Sequence, residues 1–355
     1  MTKIHVNFIR GKRVLVTGAG GSIGSELVRQ CIKFNPSVLV MIDISELNLF
    51  EIDREISIEK HKILFKPILA DIRDFEVMDQ IFKEFEPQVV FHAAAYKHVP
   101  MQEYFPWEAV KTNVFGTSNV SKLSVKYFVE KFVLVSTDKA VKPVNVMGAT
   151  KRLSEMITLN YNRLENKTEF MAVRFGNVLG SSGSVIPIFQ DQIKKGGPVT
   201  VTDPDMERYF MSIPEASQLI MQAGSLGIGG EVFILDMGDP IKIIDIANEL
   251  IRLSGYEPDL DISIKFTGTR PGEKKIEELS LPSEKLDRTK HDKIFVLNDP
   301  ELTNETLKSV IRGIKDLKYS LSERNANQIR SILSSILPEY KPNLASNEPV
   351  YLRVK

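Results

Sequence analysis

Lys12-Arg13-Val14-Leu15-Val16-Thr17-Gly18-Ala19-Gly20-Gly21-Ser22-Ile23-Gly24 is the stretch that decides the fold. The apolar run reads as a buried strand and the glycines as a tight turn. A helix follows from near Ser22, with Ile23, Leu27, Val28, Cys31 and Ile32 on one face. Glycine permits the turn, lets backbone approach a pyrophosphate and lets the helix pack on the strand, with the helix N-terminus facing the phosphates. Gly18, Gly21 and Gly24 stand three residues apart, a wider spacing than G-x-G-x-x-G. The bland alternative, a flexible turn, is disfavoured by the strand before it and the amphipathic helix after it.

Further short apolar runs follow at 38–42, 63–69, 88–92, 132–135 and 170–174, separated by helical patterns over 45–59, 74–84, 107–127 and 147–165. Strands alternating with helices of this length imply right-handed crossovers, and so an α/β fold with a doubly wound parallel sheet of Rossmann type. After about residue 175 the rhythm breaks. Asp245–Ser254 reads as a helix with Ile246, Leu250 and Ile251 as its apolar face, and Asp259–Phe266 alternates like a strand. The expected organisation is a dinucleotide-binding domain over 1–175, with some later segments returning to it. A smaller mixed α/β lobe over 176–337 binds the substrate across the carboxyl ends of the sheet, and a tail over 338–355, rich in Pro, Asn and Ser, is poorly ordered.

Composition narrows the partners. In 355 residues, 46 Lys and Arg balance 46 Asp and Glu, which gives no basis for nucleic-acid or anionic-membrane binding. The single cysteine, Cys31, excludes an intrachain disulfide and makes a reducing cytoplasm the simplest setting. His5, His61, His92, His98 and His291 lack metal-ligand spacing, so no metal is expected. The apolar run Val38–Ile42 is far too short to span a bilayer, and the polar N-terminus carries no signal peptide.

Asp43 ends the second strand, 19 residues beyond Gly24. A carboxylate there accepts hydrogen bonds from ribose hydroxyls and repels a 2′-phosphate; with Ile44 and Ser45 rather than arginine after it, NAD is favoured over NADP. Asp71, followed by Ile72, either reaches the adenine or caps the 74–84 helix.

Three more segments carry a resemblance: His92-Ala93-Ala94-Ala95-Tyr96-Lys97-His98-Val99-Pro100, Ser136-Thr137-Asp138-Lys139-Ala140 and Met147-Gly148-Ala149-Thr150-Lys151. Together with the glycine turn, from about residue 11 to 300, the chain closely resembles the extended short-chain dehydrogenases that act as UDP-N-acetylglucosamine 4,6-dehydratases. Membrane-bound relatives carry a long hydrophobic N-terminal region, so this chain resembles a member reduced to its catalytic part. One departure stands out: Met147-x-x-x-Lys151 replaces the usual Tyr-x-x-x-Lys. A thioether can be neither acid nor base. A retaining branch of the family is similar in having methionine at this catalytic position.

The resemblance implies an internal redox loop: oxidation at sugar C4, loss of water across C5 and C6, and return of the hydride to C6. The C5 base would be Lys139 and the acid for the departing hydroxyl Asp138. As a base Lys139 must be neutral, and moving a lysine pKa from its ordinary ~10.4 to near neutrality takes roughly 3–4 kcal/mol. Burial beside the nicotinamide and Lys151 is the expected source. Asp138 would need its pKa raised. Lys151 would hold the nicotinamide ribose, Thr137 the C4 oxygen, and Thr17, Gly20, Ser22, Ile23, Ala93, Ala94 and Ala95 the cofactor. Without a tyrosine, the C4 hydroxyl proton goes either to Asp138 or to a water relayed by Thr137.

By the same resemblance Lys97 and Asn177 contact the substrate, Val185, Thr200 and Thr202 flank the uracil, and Arg208, Arg270 and Glu273 bind the diphosphate and ribose, arginine because its planar fork suits phosphate. Trp107 reads as packing. Helices 107–127 and 147–165 resemble those of a four-helix dimer interface, so a homodimer or larger homo-oligomer is expected. Three activities remain open: a configuration-retaining 4,6-dehydratase; a C5-inverting dehydratase or C4-epimerase on the same scaffold; or a non-catalytic binder of NAD or a sugar nucleotide.

Overall fold

The computed structural model describes residues 7–58, 62–164, 167–280, 285–298 and 303–342. His5, His61 and residues 343–355 of the expected tail lie outside the described residues, as do 59 and 165 at the ends of two expected helices. Strands β1 (Arg13–Thr17), β2 (Val38–Asp43), β3 (Leu64–Leu69), β4 (Val89–His92), β5 (Lys131–Val135), β6 (Glu169–Arg174), β7 (Val232–Leu235), β8 (Lys285–Arg288) and β9 (Ile294–Asn298) form one sheet in the order β8-β9-β7-β6-β5-β4-β1-β2-β3. From β3 to β7 all pairs are parallel; β9 runs antiparallel to β7 and β8 antiparallel to β9. The fold class read from the sequence is the one observed, a doubly wound α/β sheet.

Both faces of the sheet are covered at its centre, which is why the runs 14–16, 38–42 and 89–91 are continuously apolar. Val14, Val16, Leu39 and Met41 pack on one side under helices α1 (Ser22–Ile32) and α2 (Glu46–Ile58). Leu15, Val40, Ile42, Val90 and Phe132 pack on the other, under α3 (Phe75–Phe85) and α4 (Thr117–Lys126). Chain order reverses between β1 and β4, so a crevice opens beyond their carboxyl ends. Helix α5 (Val146–Leu164) follows β5, and α6 (Val185–Lys194), α7 (Ile213–Leu226) and α8 (Ile243–Leu253) follow β6. A separate small core of Phe189, Ile193, Val199, Val201, Ile243, Ala247, Ile251 and Ile262 holds the lobe built around α6 and α8.

Several expectations are corrected. The later segments that return to the sheet are Val232–Leu235, Lys285–Arg288 and Ile294–Asn298, and the strand expected at 170–174 begins at Glu169. The strand expected over 259–266 shrinks to Ile264–Phe266, since Asp259 adopts a left-handed φ of 62°. The 107–127 helix contains a π segment, Val110–Gly116, between Pro106–Ala109 and α4.

The largest change concerns residues after 303, which sequence alone assigns to the substrate lobe and an unordered tail. Helices α9 (Asn304–Ser320) and α10 (Ala326–Ile336) instead form a hairpin against α5 and the π segment. Val310, Leu317, Ile329, Leu333 and Tyr340 meet Val110, Leu153, Met156 and Ile157 there. This is the face expected to pair with a second copy. It is apolar because the chain's own C-terminal helices cover it.

Candidate active site

A cavity of about 690 Å³ lies beyond the carboxyl ends of the sheet, between it and the small lobe. Its wall gathers residues from motifs far apart in sequence. Gly18, Gly21, Ser22, Ile23 and Gly24 come from the first turn, Ala93, Ala95, Tyr96, Lys97 and His98 from after β4, and Thr137 and Lys139 from after β5. Met147 and Lys151 come from α5, and Asn177, Val185, Thr200, Thr202, Arg208, Arg270 and Glu273 complete it from the later chain.

The glycine turn is built by close approach. A Cβ on Gly18, whose φ is +66°, would fall 2.7 Å from the Ala94 nitrogen, and one on Gly24 would fall 1.9 Å from the Gly18 carbonyl oxygen. Asp43 closes the turn from β2: one carboxylate oxygen accepts from the Gly20 N–H and the other from the Ser45 N–H, each at 2.8 Å.

Seven residues expected at the site do not line the cavity: Thr17, Gly20, Asp43, Asp71, Ile72, Ala94 and Asp138. Thr17 is fully buried, sharing a 2.7 Å hydrogen bond with His92 Nδ1. A Cβ on Gly20 would meet Asn48 of α2, so this glycine serves the turn's packing. Ala94 lies against Gly18, as above. Ile72 packs against Gly116. Asp71 accepts from the Arg73 backbone N–H at 2.9 Å and from its Nε at 2.6 Å; the helix is capped by Asp74, which accepts from Val77 N–H at 3.1 Å. The capping reading of Asp71 is therefore wrong by one short turn.

The Ser136–Ala140 turn holds the titratable cluster. Lys139 Nζ donates to Asp138 Oδ1 at 3.0 Å and to Asn177 Oδ1 at 3.2 Å, and lies 3.8 Å from Glu277 Oε1. Thr137 Oγ1, on the cavity wall, donates to Asp138 Oδ1 at 2.7 Å. The Asp138 side chain is wholly buried behind these two residues, and its Oδ2 has no protein partner. Burial alone would lower the Lys139 pKa, but Asp138 and Glu277 outweigh it and hold the amine above its ordinary range. That is opposite to the lowering expected from the sequence, because two carboxylates face the amine.

Lys151 carries the lowered value instead. Burial brings its amine to about 8, against a smaller opposing effect of Glu155. It is a buried residue rather than a surface lysine, and its Nζ donates to the Val135 carbonyl at 2.7 Å. Burial also lowers Lys97, and His98 further feels Lys97 and Arg270.

Two expected phosphate ligands are engaged within the protein. Arg208 donates to the carbonyls of Glu207, Lys274 and Lys275 at 2.6–2.9 Å. Arg270 Nε and Nη2 donate to Glu273 Oε1 at 2.9 and 2.6 Å.

Two residues without a sequence motif shape the site, Asn113 from behind the wall residue Tyr96 and Glu277 on the wall itself. Asn113, in the π segment, is buried; it accepts from Tyr96 N–H at 2.8 Å and donates to Tyr96 O and Thr150 Oγ1. A π segment inside a helix is itself a frequent mark of a functional site. Glu277 lines the cavity next to Lys139 and lies four residues past the singled-out Glu273. Among the described residues no His, Cys, Asp and Glu group is arranged to hold a metal, and no helix is long and apolar enough to cross a membrane.

The family model of the polysaccharide biosynthesis proteins matches residues 14–299. The chain belongs to that family. It is 52% identical over 288 residues to the capsular polysaccharide biosynthesis protein CapD of Staphylococcus aureus, a match covering 81% of this chain and 48% of CapD. The chain thus spans about half the length of that relative. An uncharacterized membrane protein of Methanocaldococcus jannaschii, MJ1061, is 45% identical over 336 residues, covering 93% of this family member and 97% of MJ1061. The solved structure of Pen from Bacillus thuringiensis superposes with a TM-score of 0.76 at 35% identity, over 82% of this chain and 91% of Pen. The same fold recurs, at under 25% identity, in the solved UDP-glucose 4-epimerase of Thermus thermophilus and the dTDP-glucose 4,6-dehydratase DesIV of Streptomyces venezuelae, with TM-scores of 0.64 and 0.65.

Proposed function

We propose that this member of the polysaccharide biosynthesis family is a NAD-dependent 4,6-dehydratase of UDP-N-acetylglucosamine, forming the D-xylo 4-keto-6-deoxy sugar with C5 configuration retained. The observation that carries the reading is Lys139: a lysine amine on the cavity wall, backed by a buried carboxylate and reached by the Thr137 hydroxyl through that carboxylate. A plain C4-epimerase has no use for an acid/base pair aimed at C5 and C6.

The residues of the glycine turn fit NAD. The turn closes only with glycine at 18 and 24, and α1 starts at Ser22 without an acidic residue in its first turn, leaving its N–H groups and positive end for a pyrophosphate. Each Asp43 oxygen accepts one backbone N–H and keeps a lone pair for a ribose hydroxyl, where a 2′-phosphate would be repelled. Bound there, NAD would supply the hydride acceptor at C4 and the hydride donor at C6.

The remaining work falls to the chain. Lys151, with its lowered pKa, contributes a cation whose charge is set by pH near 8. Thr137 orients the C4 oxygen and passes its proton to Asp138, which has no direct access to the cavity and gives that proton back through Thr137 to the departing C6 hydroxyl. Lys139 takes the C5 proton and returns it to the same face, which is what retention requires. Met147, 3% exposed on the wall, supplies bulk without a second proton carrier.

Incubation of the purified chain with NAD and UDP-N-acetylglucosamine tests the reading by mass spectrometry. The expected product has lost one water with no net accumulation of reduced nicotinamide. An isomer of unchanged mass would replace this reading with epimerisation.

A further inference from the structure

Glu277 belongs to none of the motifs that carry the function, yet it is 3% exposed, lines the cavity and approaches Lys139 Nζ to 3.8 Å. Its loop is held from three sides. Asn145 Nδ2 donates to the Gly272 carbonyl at 2.8 Å, Lys274 Nζ to the Val141 carbonyl at 3.0 Å, and Arg208 to the carbonyls of Lys274 and Lys275. A Cβ on Gly272 would lie 2.7 Å from the Asn145 Cβ, so the loop sits tightly on the segment that leads into α5. The carboxyl is therefore placed rather than left at a loop tip.

Charged groups facing Glu277 are Lys139, Asp138, Arg208 and Lys274. Burial raises its pKa; Lys139, Arg208 and Lys274 oppose this and Asp138 adds to it, with a net rise. Lys139 in turn is held in its charged form by Asp138 and Glu277 together. A lysine held charged cannot take a proton from carbon, so the reading of Lys139 as C5 base requires an acceptor for its own proton inside the site.

We propose that Glu277 is that acceptor: Lys139 and Glu277, 3.8 Å apart, share one proton, and the amine becomes a base by handing it to the carboxylate when the gap closes to hydrogen-bond distance or through one bridging water. In this step an N–H bond breaks and a carboxyl O–H forms, leaving a neutral amine beside a neutral acid. The amine then takes the C5 proton of the 4-keto sugar, and the pair gains one positive charge against the developing enolate. When the ammonium gives its proton back to C5, the neutral pair is restored, and Glu277 returns its proton to Lys139. Glu277 acts through Lys139 and is a positioning residue for its proton.

The inference rests on the dehydratase reading, and two measurements separate their failures. In the wild-type chain carrying 13C-carboxyl glutamate, the Glu277 carbon (assigned by its loss in Glu277→Gln) should titrate above the ordinary glutamate range and shift its midpoint in Lys139→Met. An ordinary midpoint, unmoved by Lys139→Met, overturns the proposal whatever the enzyme does. In turnover, Glu277→Gln keeps the size of the side chain but cannot accept the proton. It should lower kcat by about 100-fold or more, leave KM within about threefold and change the pH profile of kcat, with Glu277→Asp recovering at least tenfold. Wild-type kcat and pH profile in Glu277→Gln overturns the proposal; a wild-type enzyme that releases no water overturns the dehydratase reading instead.

Discussion

The amine of Lys151 donates to the carbonyl of Val135 at 2.7 Å, tying α5 to the last residue of β5 immediately before the Ser136–Ala140 turn. Because burial lowers its pKa to about 8 from 10.5, the folded chain releases this proton before the unfolded chain does. The charged amine is therefore a cost below pH 8, of up to about 3 kcal/mol, that disappears between about pH 8 and 10.5. Urea denaturation at pH 7 and pH 10 should show wild type gaining stability relative to Lys151→Met. An equal response of the two would refute the lowered value.

Glu155 sits under this lysine and holds Arg174 with both oxygens, at 2.8 Å each, while also accepting from Ser136 Oγ at 2.6 Å. Burial alone would raise its pKa, but Arg174, Arg152 and Ser136 pull it to about 2. Its stabilisation is complete above the ordinary carboxylate value of 4.5 and is lost as pH falls from there through about 2. Glu155→Gln removes the carboxylate that grips buried Arg174 with both oxygens and should cost about 3–5 kcal/mol at pH 7. A loss under 1 kcal/mol by chemical denaturation would contradict this account of the pair.

Gly148 brings α5 onto the turn that carries Lys139, since a Cβ there would fall 2.1 Å from the Lys139 carbonyl oxygen. Gly148→Ala should displace that turn, lowering kcat about 10- to 100-fold while NAD binding, measured by calorimetry, stays within a few-fold. Full activity would mean that the Lys139 turn does not need its present position.

Gly313 is the contact point of the C-terminal hairpin: a Cβ would lie 2.3 Å from Ile336 Cγ1. Gly313→Leu overpacks this crossing and should cost at least about 1–3 kcal/mol. With the hairpin loosened, Leu153 and Ile157 lose their cover, so limited proteolysis within 303–342 should accelerate and the chain should self-associate in sedimentation. Unchanged proteolysis and sedimentation would show that the α9–α10 contact is not what shields that face.

The sheet was legible because its central strands send alternate residues into two cores, so Val14, Leu15 and Val16 are all apolar and all buried. The glycine turn was legible because its spacing reflects backbone approach. Strand β7 was not: four apolar residues after a helix carry no alternation and no partner signal. The polar edge strand β8 likewise shows no buried face. Helices α9 and α10 have clear amphipathic faces, but nothing local says which surface they cover. At the site, residue types were readable within motifs, whereas the Lys139 shift is set by the neighbouring Asp138 together with Glu277, brought to it from 138 positions away. Asp71 and Asp74 differ only in where the first turn of α3 begins, which spacing alone leaves ambiguous.

The central claim is that one lysine removes and returns the C5 proton of a 4-keto sugar on a single face. Turnover of UDP-N-acetylglucosamine in deuterated water, followed by NMR, tests it most directly. The account predicts a new C6 methyl group, deuterium at C5 and unchanged C5 configuration. An inverted C5, or a product that keeps its C6 oxygen, would contradict it.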